Sequence, residues 1–228
     1  MKSFFFTLTL MSLLAACTPK GANSQTSGSD NGAAMDSLSY SVGVLVAQNL
    51  KAQGLDAVNP ADLASAIEDV IEGKDLKIDP QTANANLQTY MQGKAERAGA
   101  ENKTKGEAFL ATNGKRAEVT TLASGLQYEV ITEGTGAKPA ATDKVTVHYH
   151  GTLIDGTVFD SSVDRGQPAS FPVNGVIPGW VEALQLMPTG SKWKLFIPSD
   201  LAYGARGAGG DIGPNATLIF DVELISIN

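Results

Sequence analysis

The sequence predicts an α+β chain, with helices in its N-terminal half and a mostly antiparallel sheet carrying one short helix in its C-terminal half. Three observations predict it. The pairs Asn59 with Pro60 and Asp79 with Pro80 are helix-opening signals, and apolar residues at three- and four-residue spacing accompany them. From Val119 onward the pattern becomes an apolar–polar alternation punctuated by Gly and Pro, as in half-buried strands. The N-terminal end fits neither pattern and reads as a targeting segment.

Lys2 supplies a short positive region, and residues 4–14 are apolar, a run too short to cross a hydrocarbon core of ~30 Å as a helix. The run ends in Leu14, Ala15, Ala16 and Cys17, which resembles the bacterial lipoprotein cleavage box. The resemblance implies a signal peptide over 1–16, cleavage before Cys17, and acylation of its thiol and new amine. Several acyl chains would anchor the protein stably, at ~0.8 kcal/mol per buried methylene. Cys17 is the single cysteine, so the chain has no intramolecular disulfide and no thiol-based active site. Thr18 follows it where an aspartate would favour the inner membrane, so the sorting analogy places the anchor in the outer membrane. The next stretch, to residue 35, is rich in Gly, Ser, Asn and Thr and reads as a flexible tether.

A first helix is expected from Asp36, as its cap, to about residue 53, with Tyr40, Val44 and Ala47 on one side and Gly54 after its end. Asn59 and Pro60 open a second helix, with Leu63, Ile67, Val70 and Ile71 as its stripe and Gly73 as its stop. Asp79 and Pro80 open a third, reaching to about residue 112. Residues 93–106 of that helix have almost no apolar stripe, and a helix polar all round usually bridges separate bodies through solvent. Strands are expected over 126–131, 144–149, 192–197 and 217–227, with a short helix over 180–186. A helical part with so few large apolar residues would gain by pairing with a second copy.

The net charge of −7 and the lack of basic runs argue against a nucleic-acid partner. The residues that carry chemistry lie in the C-terminal half. Val145, Thr146, Val147, His148, Tyr149, His150 and Gly151 are followed by Gly156, Thr157, Val158, Phe159, Asp160, Ser161 and Ser162. Val176, Ile177, Pro178, Gly179 and Trp180 come next, then Leu201, Ala202, Tyr203 and Gly204, then the segment from Ala216 to Leu224 around Phe220. In this order and spacing they closely resemble the FKBP family of peptidyl-prolyl isomerases. Residues 106–114 and 124–128 resemble the junction of the macrophage-infectivity-potentiator and FkpA-like subfamily, whose members dimerise through an N-terminal helical domain.

The resemblance implies four segments: signal peptide 1–16, tether 17–35, helical dimerisation domain and connecting helix 36–114, and an FKBP-like sheet wrapped on one short helix over 115–228. It implies that Tyr149, Phe159 and Phe220 wall a pocket floored by Trp180, with Val176 and Ile177 on its rim and Ile212 on the loop side. Asp160 would sit at the edge, orienting Tyr149 and paired with Arg165. The Ile177 N–H and the Tyr203 hydroxyl would donate to substrate carbonyls. Many members have an aromatic where Ala169 falls, so that side is expected to be more open. The loop over 204–213 is richer in glycine than in common members, and Asp211 stands where an apolar residue is frequent. No cofactor is implied. The expected partners are proline-containing unfolded or partly folded polypeptides, a second copy of the chain, and FK506-like macrolides as pocket ligands. The expected setting is the cell envelope.

His148 and His150 face opposite to Tyr149 on one strand, and no cysteine or acidic cluster completes a metal set, so they read as solvent-facing strand residues. Residues 151–156 have the glycine spacing of a phosphate loop, but Thr157 stands where lysine is required. Asn102 with Thr104 and Asn215 with Thr217 match the glycosylation acceptor pattern by chance. The alternative to an isomerase is a holdase chaperone or binding module whose isomerase pocket is incidental. A surface protein that binds host or matrix proteins is a further alternative.

Overall fold

The computed structural model describes residues 29–228. The signal segment, Cys17 and most of the tether lie outside the described residues. The chain divides into two compact units, one ending at Leu76 and the other Lys77–Asn228.

The first unit holds α1 (Ser29–Ala52) and α2 (Pro60–Ile71). α1 starts well before Asp36, which was expected to cap it and instead lies inside the helix. The run Ala33, Ala34 and Met35 consists of strong helix formers, so the helix propagates through the aspartate rather than starting at it. Its end falls as expected: Gly54 has φ +73°, the Leu55 N–H reaches the Leu50 carbonyl at 2.8 Å, and the Gly54 N–H reaches Lys51 at 2.9 Å. α2 opens on Asn59, whose side chain accepts from the Ala61 N–H at 2.9 Å, with Pro60 at the first helical position. It closes on Gly73 (φ +65°) with the same pair of bonds, from Lys74 to Asp69 and from Gly73 to Val70. No residue of α2 is buried, and on α1 Leu38, Tyr40 and Leu45 are each at least 60% exposed.

The second unit begins with α3 (Pro80–Asn113), capped by the Asp79 carboxylate, which accepts from the N–H groups of Gln81 and Thr82. Then come β1 (Val119–Thr121), β2 (Gln127–Thr132), β3 (Lys144–Leu153), β4 (Val158–Ser161), β5 (Ala169–Pro172), α4 (Pro178–Leu186), β6 (Lys192–Ile197) and β7 (Leu218–Ile227). The strands pair antiparallel in the order β1-β2-β6-β7-β3-β4, with β5 also on β3. β5 covers residues 144–147 of β3 and β4 covers 150–152, so two short strands share one edge of a long one. Neither was expected from the sequence, since four residues are too few to display a period.

The sheet wraps on α4. Trp180, Ala183 and Leu184 of that helix enter a core with Val145, Val147, Leu195, Ile197, Leu218, Val222 and Leu224. The opposite side of β6 receives the second half of α3: Phe109 packs on Phe196 with ring centroids 6.0 Å apart. Nearby, Asn113 Nδ2 donates to Gln127 Oε1 at 2.9 Å, and Gln127 Nε2 donates to the Leu110 carbonyl at 3.0 Å. Gly99, Gly106 and Asn113, at seven-residue spacing, are the buried positions of α3. The polar stretch expected to cross solvent is therefore docked from residue 99 onward. Its contact face consists of glycines and amides, which an apolar periodicity cannot register. A Cβ on Gly106 would stand 2.2 Å from Thr217 Oγ1, so the missing side chain is what admits the helix.

Candidate active site

β3 alternates, sending Val145, Val147, Tyr149 and Gly151 inward. Gly151 is required there: a Cβ would lie 2.7 Å from the Phe159 ring and 2.8 Å from that of Phe220. The register sets Gly151 opposite Asp160 on β4 and opposite Phe220 on β7. α4 brings Trp180 up beneath them, its first turn preset by Pro178. The rings meet edge to face: Tyr149 and Trp180 at 5.5 Å and 85°, Trp180 and Phe220 at 5.2 Å and 82°, Phe159 and Phe220 at 5.4 Å and 84°. Together with residues of the β6–β7 loop they border a cavity of about 730 Å³.

One edge of this cavity is polar. The Tyr149 hydroxyl donates to Asp160 Oδ2 at 2.5 Å, and Arg165 is ion-paired with Asp160 Oδ1. Arg165 also donates to the Tyr149 hydroxyl at 2.8 Å, with its guanidinium carbon 5.6 Å from the tyrosine ring centre. Burial pushes the Tyr149 hydroxyl pKa up, and its bond to the Asp160 carboxylate pushes the same way. Partial burial also pushes Asp160 up, but hydrogen bonds from Tyr149 and Arg165 outweigh it and hold the carboxyl below its ordinary value. Asp160 and Arg165 remain 44% and 52% exposed, so solvent screens the pair and it acts more through geometry than through energy.

Tyr149, Phe159, Asp160, Val176, Ile177, Trp180, Tyr203, Ile212 and Phe220 all border the cavity. Arg165 stands behind it, reaching the edge through Asp160 and Tyr149. Tyr203 is at the rim, 41% exposed. Sequence reasoning missed Phe171, which also borders the cavity and lies 6.2 Å from Trp180 and 6.1 Å from Tyr149. Phe171 stands two residues beyond Ala169 on the same short strand. Phe171 pairs with Val145 across β5 and β3, and the alternation of Ala169 with Phe171 was the available signal. His148 and His150 are not plain solvent-facing residues: they are half-buried, their Nδ1 atoms 3.1 and 3.0 Å from the hydroxyls of Ser162 and Ser161. Those serines are held in place by the turn after β4, which brings hydroxyls to a face that strand periodicity leaves to water. Among the described residues no cluster of three or more His, Cys, Asp or Glu could hold a metal.

The cavity is walled by aromatic edges, and its described lining residues include no Ser, Cys or His. Residues 135–225 match the family described as FKBP-type peptidyl-prolyl cis-trans isomerase, and residues 35–130 match the domain amino terminal to it. The outer membrane protein MIP of Legionella longbeachae is 50% identical over 84% of this chain and 85% of its own length. The FKBP-type 22 kDa peptidyl-prolyl cis-trans isomerase of Escherichia coli is 50% identical over 83% of this chain and 93% of its own. The crystal structure of FkpA from Escherichia coli matches with a TM-score of 0.72 at 38% identity, covering 88% of this chain and 98% of that one. The chain belongs to the FKBP-type peptidyl-prolyl cis-trans isomerase family, and its activity is rotation of Xaa–Pro bonds.

Proposed function

We propose that the aromatic cavity is where this chain rotates the prolyl bond, and that it does so on polypeptides of the cell envelope. The carrying observation is the edge-to-face ring cluster over Trp180 with the Asp160 carboxylate, bonded to Tyr149, at its edge. Unaided rotation takes tens to hundreds of seconds, because the C–N bond has partial double-bond character. The twisted transition state loses amide resonance and its carbonyl becomes less polar. A dry cavity therefore stabilises it relative to a hydrated planar amide, and no nucleophile or proton transfer is needed.

In this reading the proline ring rests on Trp180 between Tyr149, Phe159, Phe171 and Phe220. The Ile177 N–H and the Tyr203 hydroxyl hold the flanking carbonyls, while Asp160 orients Tyr149 and polarises the peptide at the edge. Val176 and Ile212 complete the rim, and FK506-like macrolides would compete for the same space. Tyr203→Phe deletes one hydrogen bond of ~1 kcal/mol, so kcat/KM should fall about fivefold on a short Xaa–Pro peptide. Asp160→Leu should lower it further, with the circular dichroism of the folded domain retained in both. Wild-type turnover in a soluble variant removes the role given to that residue.

The exposed apolar residues of α1 and α2 support segment 36–114 as a dimerisation element, with a second copy as the cover. Acylation at Cys17 would tether the protein, and the relative named an outer membrane protein supports that membrane as its site. Labelling with radioactive palmitate, lost on Cys17→Ala, tests the anchor.

A further inference from the structure

The loop joining β6 to β7 supplies Tyr203, Ala208, Gly209, Asp211 and Ile212 to the cavity border. It also contains Gly204, Gly207 and Gly209 in the left-handed region, at φ +55°, +65° and +61°. A segment of this composition loses much conformational freedom when it is ordered, so its shape depends on what holds its ends. The tip closes on itself, with the Ala208 N–H reaching the Ile212 carbonyl at 2.8 Å and the Ile212 N–H reaching Ala208 at 3.2 Å. At the neck, the Asn215 N–H donates to the Gly204 carbonyl at 2.8 Å, one residue from Tyr203.

Asn215 has φ +54°, a conformation asparagine tolerates better than most residues. Its side chain leaves the loop and donates through Nδ2 to the Gly99 carbonyl of α3 at 3.2 Å. In return Asn102 Nδ2 of α3 donates to the Pro214 carbonyl at 2.9 Å. The approach depends on small residues: a Cβ on Gly99 would stand 3.1 Å from Pro214 Cβ, and one on Gly213 would stand 3.1 Å from Asn102 Nδ2. Asn102 and Asn215 are half-buried. These asparagines are part of a clasp, and a glycan on either would break it.

We infer that Asn102 and Asn215 are positioning residues for substrate binding: through them α3 fixes the neck of the loop that borders the cavity, so the long helix sets how firmly the pocket grips a peptide. The inference rests on the cavity being the substrate site. Neither asparagine is among the residues bordering the cavity, so both act through the loop. A loose rim weakens ground-state and transition-state binding alike, and that signature is a raised KM with kcat nearly unchanged.

The test uses the full-length chain with Asn102→Asp, which removes the donor at constant shape, and Asn215→Gly, which keeps the left-handed backbone. In the double variant the amides of Ala208 and Ile212 should exchange hydrogen about tenfold faster, while those of Val147 and Val222 keep their wild-type rates. KM for a short Xaa–Pro peptide should rise about threefold or more, with kcat within about twofold of wild type. Unchanged loop exchange overturns the clasp. Equal acceleration at loop and core overturns it too, because the asparagines would then only stabilise the domain. Faster loop exchange with unchanged KM overturns the role in binding. The exchange readout needs no turnover, so an error in the pocket assignment shows separately, as wild-type activity of Tyr203→Phe and Asp160→Leu.

Discussion

α1 carries Leu38, Tyr40 and Leu45 and leaves them 60–77% exposed. The second half of α3 has few large apolar residues, yet it docks on the sheet, burying Gly99, Gly106 and Asn113. The difference teaches that an apolar stripe reports a need for a partner, whereas a stripe of glycines and amides reports a partner already present. Large side chains gain by removal from water, at roughly 25 cal/mol per Å² of apolar surface, whatever covers them. Glycines gain by close backbone approach to one particular surface. They leave no hydrophobic signal when that surface is unknown.

The largest effect that could break this comparison is on α1. If a second copy covers that helix, Leu38→Asp together with Leu45→Asp should yield a folded monomer, its mass halved in sedimentation equilibrium. An unchanged mass would mean that the exposed stripe is not an interface between copies.

The next test turns on a sign. On a free helix Gly106→Ala should stabilise by ~0.5–1 kcal/mol. Docked against Thr217, the added methyl should instead destabilise by about 1–3 kcal/mol, read as a lower urea midpoint at unchanged slope.

A smaller loss is expected from Asn113→Ala, which leaves the buried Gln127 Oε1 without its donor, at about 1–2 kcal/mol by the same measurement. An Asn113→Ala domain as stable as wild type would show that the Asn113–Gln127 bond contributes nothing net to the docking.

The smallest effect lies at the exposed start of α3. Hydrogen bonds from the Thr82 hydroxyl and backbone hold the Asp79 carboxyl below its ordinary value. A depressed folded-state pKa means that the capping contribution is fully present above the ordinary carboxylate range, near pH ~4, and is lost as pH falls through the folded value. Asp79→Asn should flatten that acid limb of the stability curve, and Gly106→Ala should leave it untouched. The carboxyl of Asp160 is depressed as well, so its share of stability also disappears on the acid side.

Much of the fold was legible because local chemistry fixes it. Asn59 with Pro60, Asp79 with Pro80, and Gly54 and Gly73 past their helices mark ends that backbone hydrogen bonding demands. The alternation of Val145, Val147, Tyr149 and Gly151 gave β3 its inward face. Where local signals compete, reading failed. Asp36 looked like a cap, but the alanines before it carry the helix through. Phe171 was missed, because the short β5 hid the register that delivers it to the cavity.

By itself the sequence determined where helices start and stop, which residues alternate inward, and, through motif resemblance, which aromatics belong together. These follow from dihedral preference, hydrogen-bond satisfaction and the period of burial, all of which act between near neighbours. Tertiary structure alone decided that β4 and β5 share one edge of β3, that Arg165 reaches Tyr149 as well as Asp160, and that Asn102 meets Pro214 across 112 positions of chain. Such contacts depend on the distance between backbones after the sheet has wrapped, and glycines at 99 and 106 record that distance only by what they omit.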